Sequence, residues 1–152
     1  LAGVIAAASA RSDGGHVVAH VLLSRGCPGE RTCDLSVTSL PTAQPFHVES
    51  TGVTAVAQWS LYPLLDGASD GGDHMAHIED AIATARRRGT AGDAAHYATP
   101  LTGDVAEVLA TAVDAWALVG ARVPHVVSHL TVSVGSPSIG APSVDSRTGA
   151  AQ

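Results

Sequence analysis

A chain of 152 residues with 45% hydrophobic side chains has enough apolar material for one or two small packed domains, and it does not have the composition of a disordered segment. Aromatics make up only 3%, so the core must be built mainly from Val, Leu, Ile and Ala. The formal net charge of −6 argues against nucleic acid or an anionic membrane as partner, because both need clustered cations.

From the N-terminus, the apolar run Leu1 to Ala10 places Leu1, Val4, Ile5 and Ala8 on one helical stripe. It has no basic n-region and is read as a helix rather than a signal peptide. A strand rich in Val and Leu follows, Val17 to Leu23, and then a Pro/Gly/Ser-rich stretch holding Cys27 and Cys33. Their spacing matches no zinc or CxxC motif, and two cysteines are too few for a disulfide framework. No apolar run is long enough to span a bilayer. Every basic residue is arginine, which fits a GC-rich bacterial genome, and the expected location is the cytoplasm.

Self-comparison is the most informative operation on this sequence. The segment HVVAHVLLSRGCP (16 to 28) returns as HVVSHLTVSVGSP (125 to 137) at an offset of 109. Upstream, Leu1, Val4, Ile5 and Ala8 match Leu109, Ala112, Val113 and Trp116 at an offset of 108. A helix, a loop and a strand recurring in order predict a duplication. Residues 1 to 28 are then the last helix and strand of a first copy, about 56 residues of which are expected to precede Leu1. Residues 29 to 52 read as a linker, 53 to 135 as an intact second copy, and 136 to 152 as a disordered tail. The first-copy remnant is expected to lack a partner strand and a core, and so to self-associate.

In the intact copy, Val53 to Tyr62 alternates, with Ala57, Trp59 and Leu61 on one face and Gln58, Ser60 and Tyr62 on the other; Pro63 ends it. Asp70 or Asp73 can cap a helix whose apolar stripe is Met75, Ile78, Ile82 and Ala85. Arg86, Arg87 and Arg88 complete its last turn, where they complement the dipole, and Gly89 stops it. Thr90 to Ala94 and Tyr97 to Leu101 are weaker strand candidates. Asp104 and Glu107 have capping-box spacing at the start of a second helix, with Val105, Val108, Leu109, Ala112, Trp116 and Val119 facing the core. The last strand, His125 to Val134, turns Val126, Leu130, Val132 and Val134 inward and His125, His129, Thr131 and Ser133 outward. Strand, helix, strand, strand, helix, strand is the α+β, ferredoxin-like βαββαβ sandwich, with strand order 4-1-3-2. Its first and last strands are neighbours, so Gln58, Ser60, Tyr62, His129, Thr131 and Ser133 merge into one polar patch.

Such a face is ordinarily just solvated. It is also able to bind: Gln58 offers a paired donor and acceptor, and Tyr62 a ring and a hydroxyl. His16 and His20, like His125 and His129, lie four apart on one strand, about 13 Å by strand rise, too far to share an ion. His74 and His77 can face one another on a helix, but no third ligand has suitable spacing, so no metal is expected. There is no nucleophile elbow and no phosphate-binding glycine loop, and no catalytic residues are assigned.

The run Ala57-Gln58-Trp59-Ser60-Leu61-Tyr62-Pro63-Leu64 resembles the opening strand of the YkoF-like thiamine/hydroxymethylpyrimidine-binding family. The stretch His96 to Asp104 with Val105-Ala106-Glu107-Val108, and the closing His125-Val126-Val127 strand ending in Gly135-Ser136-Pro137, resemble it too. Two departures stand out. Trp59 replaces a smaller residue, and Pro100 falls in a central strand, where a bulge or an early end at Thr99 is expected. The resemblance implies a ferredoxin-like fold used singly or as a tandem repeat, and a soluble, non-catalytic binder of thiamine or its pyrimidine moiety in uptake or salvage, without cofactor and as a homo-oligomer. In that role Gln58 and Ser60 would hydrogen-bond the aminopyrimidine and Tyr62 would stack on it. Thr99, His129 and Thr131 would complete the polar wall. The rival expectations are a module whose sheet face mediates oligomerisation without a vitamin and, least favoured, a small ferredoxin-like enzyme.

Overall fold

The computed structural model describes residues 1–25, 47–65, 73–93, 98–123 and 125–137. Cys27 and Cys33, the linker up to residue 46, Asp70, His96, Tyr97 and the tail from 138 lie outside them. Seven elements follow in order: α1 (Ala2–Arg11), β1 (Val17–Arg25), β2 (Thr54–Leu64), α2 (His74–Arg87), β3 (Thr99–Asp104), α3 (Val105–Gly120) and β4 (His125–Val134). The strands form one antiparallel sheet in the order β1-β4-β2-β3. The fold is the α+β, ferredoxin-like arrangement, with the first and last strands of the intact copy, β2 and β4, side by side as its strand order requires.

The alternation in β2 and β4 is what closes the core. Ala55, Ala57, Trp59 and Leu61 of β2 and Val126, Leu130, Val132 and Val134 of β4 are buried beneath α3. Helix α3 is buried on most of its circumference because it lies across the middle of the sheet. The largest core side chain, Trp59, carries a polar atom that the core must satisfy. Its indole N–H donates to Ser128 Oγ on β4 at 2.8 Å, which explains a serine at an inward position of that strand. Helix α2 starts at Asp73, whose carboxylate accepts from the backbone N–H of Met75 and Ala76. Its inward face is Ala81 and Ala85; Met75, expected in the stripe, is 56% exposed.

Asp104 ties three segments together. Its carboxylate caps α3 through Ala106 N and also accepts from Ser50 Oγ and from the N–H groups of Thr51 and Gly52. Burial pushes this carboxyl up, but the hydrogen bonds from Ser50, Ala106 and Thr51 outweigh that and hold it at about 2. Glu107 does not complete a capping box; it pairs with Arg88, which also reaches Asp114. The arginine run therefore does more than complement a dipole, because its last member joins α2 to α3.

Three expectations are corrected. The strand expected over Tyr97 to Leu101 with an end near Thr99 instead starts at Thr99 and runs to Asp104. Pro100 is accommodated because its carbonyl accepts from Gly92 N, on the flank away from β2. N–H and C=O of one strand residue point the same way, so the missing N–H falls on that flank and the β2 ladder loses nothing. The strand expected over Thr90 to Ala94 is reduced, among the described residues, to a single bridge from Ala91 to Leu101. Thirdly, residues 1–25 do not lack a docking site. Strand β1 pairs with the outer edge of β4 from Val17↔Val134 to Arg25↔Val126, and Ile5 of α1 joins the core. The register is two-fold symmetric in the repeat numbering: Val21 stands opposite Leu130, its own counterpart at the offset of 109. At the end of β4, Gly135 turns at φ 66°, and a Cβ there would meet Gly15 O at 3.1 Å, so glycine is required where the two segments close up.

Candidate functional site

The open face of the sheet receives every second residue of each strand. Gln58, Ser60 and Tyr62 of β2 meet His129 and Thr131 of β4 there, with Gln58 opposite Thr131 and Ser60 opposite His129. Five of the six residues expected to form a binding wall therefore share one face. Thr99 does not. It pairs with Trp59, points to the helix side and is buried. One contact on the open face was not foreseen. Histidines on the same strand are too far apart to interact, but β1 brings His20 beside His129, with ring centroids 6.1 Å apart and planes within 9°. Thr131 Oγ lies 3.2 Å from His20 Nδ1. Among the described residues no group of three or more His, Cys, Asp or Glu side chains is placed to hold a metal. His74 Nδ1 instead lies 3.2 Å from the carbonyl of Pro63.

A concave site lies elsewhere. The ladder between β2 and β3 ends at Trp59↔Thr99, and β2 runs on for five more residues. Between that projecting end and α2 is an open cavity of about 250 Å³, lined by Trp59, Ser60, Leu61 and Tyr62 of β2, Ile78, Ala81 and Ile82 of α2, and Ala98 and Thr99. Ser60, Tyr62 and Thr99 meet here, which a reading by faces of the sheet could not show. Gln58, His129 and Thr131 do not line it. Small residues make the space: Ala81 and Ala98 stand where bulkier side chains would fill it. Its lining is mostly apolar with three hydroxyl-bearing residues among it, a make-up common to small-molecule sites. A second cavity, about 240 Å³, separates α1 and β1 from α3, but its lining, including Leu1, Val21, Leu109 and Leu130, is aliphatic and offers no side chain to orient a polar ligand.

Sequence comparison decides the family. The YKOF-related Family matches residues 54–139, which is more than half of the chain and contains every element from β2 to β4. The chain belongs to the YKOF-related family. Among curated proteins, it is 27% identical over 124 residues to the "Putative HMP/thiamine-binding protein YkoF" of Bacillus subtilis (strain 168). That similarity takes in 81% of this chain and 60% of the relative, so the chain spans less than two thirds of the relative's length. No helix among the described residues is long and apolar enough to cross a membrane.

Proposed function

We propose that this chain reversibly binds thiamine or its hydroxymethylpyrimidine half, without catalysis, in the cavity between α2, the projecting end of β2 and the start of β3. The observation that carries this reading is the convergence of Ser60, Tyr62 and Thr99 on one apolar cavity inside the segment matched by the family. Two hydroxyls and a phenol orient and hydrogen-bond a heterocycle; they are not a nucleophile with its base. In this reading the protein serves vitamin uptake or salvage in the bacterial cytoplasm, as a homo-oligomer and without a cofactor. Mass action provides the test. Ligand at a hundred times its dissociation constant adds about 2.7 kcal/mol to stability and raises the melting temperature. Calorimetry without heat and melting without a shift at millimolar ligand refute the reading.

The open face supports a second reading, in which it packs against another copy of the chain and needs no vitamin. Leu22 is 67% and Tyr62 52% exposed there, Val18 is exposed as well, and no outward residue of β1, β4 or β2 carries a formal charge with His neutral. Gln58 separates the two sites. Gln58→Leu leaves ligand affinity unchanged if the cavity is the site and weakens it if the open face is. Leu22→Glu dissociates an oligomer built on that face, as read by light scattering.

A further inference from the structure

The histidines that recur at the offset of 109 do not line the cavity, and the pairing of β1 with β4 sorts them. His16 and His125 stay at opposite ends of this joint, because Val17 stands opposite Val134 and Arg25 opposite Val126. His20 and His129 flank its centre, the pair Val21↔Leu130, and stack with ring centroids 6.1 Å apart. His20 is exposed and His129 half-buried, so both rings have room to turn. We propose that His20 and His129 together bind one divalent transition ion, of the Zn²⁺ or Cu²⁺ kind, which clamps β1 to β4. Such a site needs no vitamin, and it departs from the expectation of no metal, which rested on spacing along single elements.

Geometry and donor chemistry both support it. An ion held by one nitrogen of each ring at about 2.0–2.1 Å keeps the ring centres roughly 5–6 Å apart, so the two rings need move little. Thr131 stands opposite His20, and its Oγ is 3.2 Å from His20 Nδ1. When Nδ1–H donates to that oxygen, the Nε2 lone pair is left for the metal, which is the outer-shell bond usual for a histidine ligand. The outward residues of β1, β4 and β2 include imidazoles but no carboxylate and no thiol. That donor set suits Zn²⁺ and Cu²⁺ and does not suit Ca²⁺ or Mg²⁺. Among the described residues no third His, Cys, Asp or Glu joins the pair, so water fills the other positions and the ion is exchangeable. The two ligands are 109 residues apart in sequence and meet only when β1 lies on β4. The ion therefore binds the folded chain and stabilises it by mass action.

The test is melting of the full chain in a non-coordinating buffer with and without zinc chloride, with calorimetry for the stoichiometry. One ion per chain should bind and raise the melting temperature, while the mass from light scattering stays that of the metal-free protein. His20→Ala and His129→Ala, each compared with its own metal-free melting, should abolish the shift. His74→Ala, which alters the histidine pair on α2, should keep it. Copper gives a reading that does not depend on stability: spin-echo modulation of the Cu²⁺-loaded chain should show two imidazoles on one ion, and one in either variant of the stacked pair. The inference is overturned by an unshifted parent, by a shift that survives either change in the stacked pair or is lost with His74, or by a single imidazole on copper. One ion per two chains with a rise in mass overturns it as well, since the two histidines would then come from different copies.

Discussion

Replacing Ser128 by alanine removes a single oxygen atom from the centre of the sheet. Ser128 is fully buried, Trp59 nearly so, and the only hydrogen bond described for the indole N–H is the one to Ser128 Oγ. Alanine fits the space, so the cost is not steric; it is the desolvation of an indole donor left without an acceptor, about 1–3 kcal/mol. For a domain of about 150 residues that lowers the melting temperature by roughly 2–12 °C, taking about 2–4 °C per kcal/mol. Thermal and urea denaturation of the full chain at matched concentration measure it. A double-mutant cycle isolates the pair: Trp59→Phe also costs stability, through lost ring volume, but Ser128→Ala in the Trp59→Phe background should cost little, because no donor remains to be orphaned. If Ser128→Ala is as stable as the parent, or if its cost is the same in both backgrounds, the hydrogen bond does not hold Trp59 in place.

Arg88→Ala should destabilise by about 2–4 kcal/mol in chemical denaturation, because it strips a cation from the largely buried Asp114 and unties α2 from α3; an exposed pair would cost far less. Asp104 should make stability fall in acid. Its folded pKa, about 2, lies below the ordinary 3.8, so its contribution is complete above about pH 4 and is lost as pH falls through about 2. After discounting for solvent this is about 1 kcal/mol, and the stability gap to Asp104→Asn, which keeps a capping side chain, should close over that interval. Removing residues 1 to 46 bares the edge of β4 that β1 covers. Val21 stands opposite its counterpart Leu130, so that edge is matched to a second copy of itself, and the 47–152 fragment should show one more step of association in light scattering than the full chain.

The parts legible in the sequence are those fixed by local periodicity. Ala57, Trp59 and Leu61 against Gln58, Ser60 and Tyr62 reveal β2 because one face of that strand is buried and the other is not, and β4 is legible for the same reason. Asp73 and Asp104 announce the helix starts because an orphaned N–H needs a nearby acceptor. What failed depended on three-dimensional neighbours. Pro100 looks forbidden in a central strand until one knows which flank its nitrogen faces. Thr99 was placed on the wrong face because its parity is set by its pairing with Trp59, across some forty residues of chain. The cavity was invisible because it opens where β2 outruns β3 and α2 closes over the gap, a mismatch of lengths rather than a pattern of residue types. The stack of His20 on His129 needs β1 beside β4, and spacing along either strand alone argues against any such meeting.

Strand β4 is where these observations join. One of its edges carries β1 and the other carries β2. At Ser128 the two meet: the residue stands opposite Leu23 of β1 and Leu61 of β2, and its hydroxyl holds Trp59. Residues 1–25 are therefore no appendage to the matched segment, since they brace the strand whose Ser128 holds Trp59, one of the residues lining the cavity. A central strand paired on both sides is held more rigidly than an edge strand, and a site that is already rigid loses less entropy when it takes a ligand. Loosening the β1–β4 joint should accordingly weaken ligand binding even though no residue of β1 lines the cavity, whereas an equally destabilising change in α1, away from Ser128, should lower the melting temperature and leave the affinity as it was.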